Sequence, residues 1–217
     1  KTVLELLDSD YATEVVLGTP AFFEQLRSRS NSFSGEVIEV SPDLLATLGE
    51  YRTNDGALAI ARCKPNVAPV LTSNDFALVL DDIRDPGNLG TIIRIADWYG
   101  IKAVIASDET AELYNPKVLH SSKGSFTRIP MYYTNLAEFL STSGFPVYGT
   151  FLSGEDVHHV NFGSGGLIVI GNEAHGISPE VEAFVTKKIS IPRYGKAESL
   201  NAGVATAVIC DNIRRGK

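Results

Sequence analysis

The chain has 217 residues, 44% of them hydrophobic and 21% charged, with a formal net charge of −7. That length suits one large domain or two modest ones, and no apolar run approaches the roughly 18 residues of a membrane span. The negative charge argues against a protein that coats nucleic acid by phosphate neutralisation, while leaving room for a local basic patch.

Lys1 enters mid-element, as in a chain that has lost a first segment. Val3, Leu4, Leu6 and Leu7 share a helical face, and Glu14–Leu17 reads as a short strand. Pro20 opens a helix over Ala21–Arg27. A strand follows at Val37–Val40, a helix at Pro42–Leu48 and a strand at Ala57–Ala61, which together make a small α/β/α sandwich. Lys64–Asp75 carries Pro65, Pro69 and a polar run without periodicity, so it reads as a linker.

From Phe76 the pattern lengthens into βα units. Phe76–Leu80 is a buried strand, Asp85-Pro86-Gly87-Asn88 breaks it, and Leu89–Tyr99 has helical spacing. Strands are expected at Lys102–Ala106, Thr127–Met131, Val147–Phe151, Leu167–Ile170 and Ile189–Ile191. Helices are expected at Pro116–Ser121, Leu136–Leu140, Pro179–Val185 and from Leu200 to Arg215. This alternation predicts an α/β fold, a mostly parallel sheet with helices on both faces. The predicted boundary divides residues 1–66 from 67–217. Cys63 and Cys210 stand apart without CxxC spacing, as reduced thiols of a cytoplasmic protein with no metal site.

Three polar clusters follow buried strands. The first, Asp85-Pro86-Gly87-Asn88-Leu89-Gly90, has Arg94 within reach of a ligand at the turn. The glycines alone fit a capped helix entry equally, and the dinucleotide fingerprint GxGxxG is absent. The second is Gly171-Asn172-Glu173-Ala174-His175-Gly176, whose Glu173 needs a partner or a helix end to cap. The third runs from Pro192 to Asn201. Within it Ser199 can cap the last helix, and Asn201 is poor packing material with a polar task.

Together the clusters resemble the SpoU (TrmH) family of RNA ribose 2′-O-methyltransferases in the SPOUT superfamily. Its three motifs stand in order: Asp85-Pro86-x-Asn88-x-Gly90-x-x-x-Arg94-x-Ala96, Ile170-Gly171-x-Glu173-x-x-Gly176, and Ile191-Pro192-x-x-Gly195-x-x-x-Ser199-Leu200-Asn201. The first sixty-odd residues resemble, less specifically, an L30e-like RNA-binding domain, with Asp55-Gly56-Ala57 where many members have a Gly-Val turn. Arg193 stands where many members carry Met, and Ala202-Gly203 replaces the usual Val-Ser or Ala-Ala.

The resemblance implies a C-terminal trefoil knot that holds S-adenosylmethionine. It places Thr150, Phe151, Gly171, Asn172, Ile191, Pro192, Gly195 and Leu200 around that cofactor, with Gly171 and Gly195 allowing close backbone approach. It assigns the chemistry to Arg94, Ser199 and Asn201, with Asn88 and Glu173 holding the architecture of the site. Arg84, Lys117, Lys123, Arg128, Arg193 and Lys196 lie in or near motif loops as a candidate RNA patch. The partners implied are RNA, rRNA before tRNA, and a second copy of the chain through the knotted domain. A guanidinium keeps its proton, so Arg94 is expected to hold a substrate phosphate instead of acting as base. The rival reading is a non-catalytic RNA-binding protein that keeps the fold. It predicts loss of Arg94, Ser199 or Asn201, and all three are present.

Overall fold

The computed structural model describes residues 1–28, 33–49, 54 and 56–215. They form two compact units, Lys1–Pro65 and Asn66–Lys217. Asp55 lies outside the described residues.

The first unit runs α1 (Thr2–Leu7), β1 (Thr13–Gly18), α2 (Pro20–Arg27), β2 (Glu36–Glu39), α3 (Pro42–Leu48) and β3 (Ala57–Ala61). Its sheet has the order β2-β1-β3, with β1 parallel to β2 and antiparallel to β3. Thr19 and Ser41, each followed by proline, start α2 and α3. Their hydroxyls accept from the amides of Phe22 at 3.3 Å and Leu44 at 3.2 Å. Leu4, Val16, Phe22 and Phe23 close the core.

The second unit continues with β4 (Phe76–Leu80), α4 (Pro86–Trp98), β5 (Ala103–Ala106), α5 (Pro116–Ser122), β6 (Met131–Tyr133) and α6 (Leu136–Ser143). It ends with β7 (Val147–Asp156), β8 (Gly166–Ile170), α7 (Pro179–Glu182), β9 (Lys187–Ser190) and α8 (Ala202–Arg215). The six strands lie in the order β6-β5-β4-β8-β7-β9, and every described pairing among them is parallel. Every residue of β4, β5 and β8 is buried, which explains their uninterrupted apolar runs. The strand order reverses between β4 and β8, so a crevice opens there at the carboxyl ends, where such sheets bind ligands.

Several elements depart from the expectation, and β7 runs past the predicted Phe151 to Asp156. The strand predicted at Thr127–Met131 is a left-handed Lys123-Gly124 pair and a 3-10 turn over Ser125–Thr127, with β6 starting only at Met131. Side chains hold that turn. The Ser125 hydroxyl donates to Asp97 Oδ2 at 2.8 Å, Arg128 Nη2 to the same oxygen at 2.8 Å, and Thr127 Oγ1 to the Gly124 carbonyl at 2.8 Å. The strand predicted at Ile189–Ile191 is β9, shifted to Lys187–Ser190, and the helix after Pro179 stops at Glu182.

Burial raises the Asp97 carboxyl, but the bonds from Arg128 and Ser125 outweigh it and leave its pKa below the usual value. A folded-state pKa below the unfolded one stabilises the fold above about pH 4, and the contribution disappears as the pH falls through the folded value. Asp97→Asn is therefore expected to lose about 1 kcal/mol or less near neutrality. The gap in thermal midpoint from the parent protein should close in acid below about pH 4.

Candidate active site

Three loops leave the carboxyl ends of β4, β8 and β9, and each carries one of the polar clusters. In the first, the Asp85 carboxylate accepts from the Asn88 amide at 2.8 Å and from Lys117 Nζ at 2.9 Å. The Lys117 ammonium, followed by that amide, holds the Asp85 carboxyl below the usual carboxylate range. Asp85 is thus the cap of α4. The helix begins at Pro86, three residues before the predicted Leu89, and Asn88 stands in its first turn.

The second cluster is a closed loop. Asn172 and Gly176 exchange two backbone hydrogen bonds at 2.9 Å, with Gly176 at φ +73°. The Asn172 side-chain oxygen accepts from the amides of Ala174 at 2.8 Å and His175 at 3.2 Å. Its NH₂ donates to the Asp82 carbonyl at 2.7 Å. The Asn172 side chain, expected beside the cofactor, is therefore engaged in binding its own loop to the end of β4. Gly171 also serves the protein itself. A Cβ there would sit 2.3 Å from the Gly176 carbonyl carbon and 2.4 Å from the Ile177 nitrogen.

In the third cluster, Asn201 and not Ser199 caps α8. The Asn201 side-chain oxygen accepts from the amides of Gly203 at 3.0 Å and Val204 at 3.3 Å, so the helix starts at Ala202 instead of Leu200. Asn201 Nδ2 then donates to Asn88 Oδ1 at 2.8 Å, and Asn88 Nδ2 donates to Glu173 Oε1 at 2.5 Å. The three clusters meet through these two bonds. A helix N–H can only donate and a carboxylate can only accept, so both amides are oriented in one sense along the chain.

Helices α4 and α8 lie side by side and parallel. Asn88 and Asn201 join their amino ends. At the other ends Arg214 donates to the carbonyls of Tyr99 at 2.6 Å and Gly100 at 2.7 Å. Between them a Cβ on Gly203 would lie 2.9 Å from Thr91 Cγ2, so this glycine lets α8 sit against α4 within the chain. Two helix amino ends therefore converge on the site, with Glu173 as the acidic complement.

Arg94 lies six residues along α4 from Asn88, about 9 Å at 1.5 Å per residue. It is exposed and has no partner among the described residues. Ser199 is likewise exposed and unpartnered, and no hydrogen bond joins it to Arg94. Thr150 and Phe151 lie on β7, where Thr150 pairs with Ile189 of β9. Ile191 and Pro192 are half-buried, Leu200 is exposed, and a Cβ on Gly195 would meet nothing within 4 Å. Gly195 thus has open space beside it. Among the described residues, the backbone groups of 191–200 make no hydrogen bond to other backbone groups.

Most of the predicted RNA-binding cations are held within the chain. Arg84 pairs with Asp82 at 2.6 Å, Lys117 with Asp85 at 2.9 Å and Arg128 with Asp97 at 2.8 Å. Lys123 Nζ lies 3.3 Å from His120 Nε2, and Arg193 donates to the Ala197 carbonyl at 3.3 Å. Lys196 alone of the six is exposed without a partner among the described residues. Two supporting residues escaped the sequence reading: Asp81, which accepts from the Ser178 amide at 2.6 Å, and Asp82, at φ +62°. Their signal was a pair of carboxylates directly after a buried strand.

Residues 75–211 match the model of the SpoU rRNA methylase family. The chain belongs to the SpoU rRNA methylase family. It is 30% identical over 225 residues to the 23S rRNA (guanosine(2553)-2′-O)-methyltransferase RlmP of Bacillus subtilis, covering 99% of this chain and 90% of that protein. It is 33% identical over 194 residues to a 23S rRNA (uridine(2479)-2′-O)-methyltransferase of Streptomyces viridochromogenes, covering 83% and 68%. The structure of the SpoU methyltransferase AviRb from Streptomyces viridochromogenes in complex with AdoMet matches with a TM-score of 0.85. That match has 27% identity and covers 99% of this chain and 86% of AviRb.

In this SpoU chain the bond between Asn88 and Asn201 is expected to show as energetic coupling. Asn201→Ala should lose about 1 kcal/mol through the cap alone. A double-mutant cycle with Asn88→Ala, followed by urea unfolding, should give an interaction energy of about 0.5 kcal/mol or more.

Proposed function

We propose that the chain transfers the methyl group of S-adenosylmethionine to a ribose 2′-hydroxyl of RNA, ribosomal before transfer RNA. The observation that carries this is the junction of the three clusters through Asn201, Asn88 and Glu173. It is supported by family membership, by relatives named as 23S rRNA 2′-O-methyltransferases, and by the likeness to a structure that holds AdoMet.

The ten-residue stretch 191–200, whose backbone groups make no hydrogen bond to other described backbone groups, fits a cofactor held largely through backbone contacts. Ile191, Pro192, Gly195 and Leu200 would line it from this stretch, with Thr150, Phe151 and the backbone at Gly171 beside it. The cofactor supplies an electrophilic methyl on a sulfonium, whose sulfur leaves neutral. Strands β7 and β8 stand between β9 and β4 in the sheet, yet α8 begins beside Asn88, so residues 191–201 recross the sheet end. That path supports the trefoil knot.

In the proposed mechanism Arg94, exposed and unpartnered, grips the phosphate next to the target ribose and lowers the 2′-hydroxyl pKa. The oxygen forms its bond to the methyl carbon as the carbon–sulfur bond breaks, and the hydroxyl proton passes to that phosphate or to water. Ser199 orients the hydroxyl, while Asn201, Asn88 and Glu173 keep the loops in register. Lys1–Pro65 serves as an L30e-like RNA-recognition domain. A homodimer through the second unit, in the cytoplasm, completes the reading. Val204 and Leu200, 51% and 49% exposed near the start of α8, support it, and sedimentation velocity tests it.

Incubation with labelled S-adenosylmethionine and unmodified 23S rRNA, then digestion to nucleosides, should yield a labelled 2′-O-methylnucleoside. No such product from rRNA or tRNA would overturn the proposal. Arg94→Lys keeps a charge but loses bidentate phosphate binding, so its rate should fall about 100-fold with the pH optimum unmoved. Retained activity, with an optimum displaced toward the lysine pKa near 10.4, would make residue 94 a base.

A further inference from the structure

Tyr194 is 94% exposed, the most exposed of the large hydrophobic side chains described, and its side chain makes no hydrogen bond or ring stacking with a described residue. It stands in the loop between β9 and α8, whose ends are anchored. Ile189 is buried upstream in the sheet, and Asn201 is tied downstream to Asn88. Arg193 bends the loop back by donating to the Ala197 carbonyl at 3.3 Å, and exposed Lys196 follows two residues after the tyrosine. The loop therefore holds an aromatic face and two cations in water, and it leads directly into Asn201, which joins the three clusters.

Trp98, 84% exposed, is the comparable aromatic, but it lies ten residues beyond Asn88 at the far end of α4. At 1.5 Å per residue that is about 15 Å from the junction. Tyr194 instead belongs to the same loop as Ile191, Pro192, Gly195 and Leu200, two residues after Pro192 and one before Gly195.

Resting on the RNA-methylation reading, we propose that Tyr194 is the stacking platform for an unpaired nucleobase of the RNA at or beside the methylated ribose, with Arg193 and Lys196 on the adjoining phosphates. A ribose hydroxyl in a duplex is hard to bring to a recessed methyl donor, so the target nucleotide has to leave its stack. A protein aromatic replaces the lost stacking for any base, because every base has a π-face. Cations close in sequence neutralise the backbone that the displaced base exposes.

The test uses two readouts. In methyl transfer to unmodified, in vitro transcribed 23S rRNA, Tyr194→Leu should raise KM for RNA about ten-fold or more, leaving kcat and the Kd for S-adenosylmethionine unchanged. Tyr194→Phe, which keeps the ring, should restore the parent KM. Independently of catalysis, a short single-stranded RNA carrying 2-aminopurine should be quenched on binding to the parent protein and to Tyr194→Phe, and not to Tyr194→Leu. An unchanged KM and quench in Tyr194→Leu would overturn the proposal. So would a change confined to S-adenosylmethionine affinity, which would place the ring on the cofactor. Ring-dependent quenching without any 2′-O-methylnucleoside from the parent protein would keep the platform and sink the methylation reading.

Discussion

The site depends on a directed run of hydrogen bonds. It starts at the free amides of α8, passes through the side chains of Asn201 and Asn88, and ends on Glu173. Each amide both accepts and donates, and the two ends fix its orientation, since one end can only donate and the other only accept. Bonds in such a chain polarise one another in the same sense, so the run favours one arrangement of three segments distant in sequence. Removing any member leaves a partner with an unmet bond.

The sheet makes this meeting possible. Its order reverses between β4 and β8, so the first and second clusters leave adjacent strands on either side of one crevice. The third has farther to come, because β9 is the outermost strand beside β7. The chain recrosses the sheet end to place α8 along α4, where Gly203 permits close contact and Arg214 secures the far end. The stretch that makes this crossing is the one without backbone–backbone hydrogen bonds among the described residues, and it holds Ser199 and Tyr194 as well as Ile191, Pro192, Gly195 and Leu200. Arg94 lies on the helix against which that crossing ends.

Local chemistry made much of the fold legible. Pro20 marked α2, and the buried apolar runs marked β4 and β8. What escaped was decided by side chains from elsewhere. Asp85, braced by Lys117, starts α4 across a Pro-Gly pair that reads as a break. Ser199 and Asn201 are both capable caps two residues apart, and a bond to Asn88 113 residues away selects the second. The Thr127 segment has strand composition, yet Asp97 draws Ser125 and Arg128 into a turn. Gly171 was expected to let the cofactor approach its backbone, and what stands against it is the loop's own backbone at Gly176 and Ile177. Apolar periodicity reports burial well and says little about which polar groups will find each other.

The central claim is that the amide of Asn88, donating to Glu173 while accepting from Asn201, holds the catalytic arrangement together. Asn88→Asp tests it most directly, because the replacement is nearly isosteric, cannot donate, and brings a second carboxylate against Glu173. The measurement is single-turnover methyl transfer from labelled S-adenosylmethionine to unmodified 23S rRNA. The account predicts a rate lower by about 100-fold, as expected for reactants held out of register. A rate equal to that of the parent protein would contradict it.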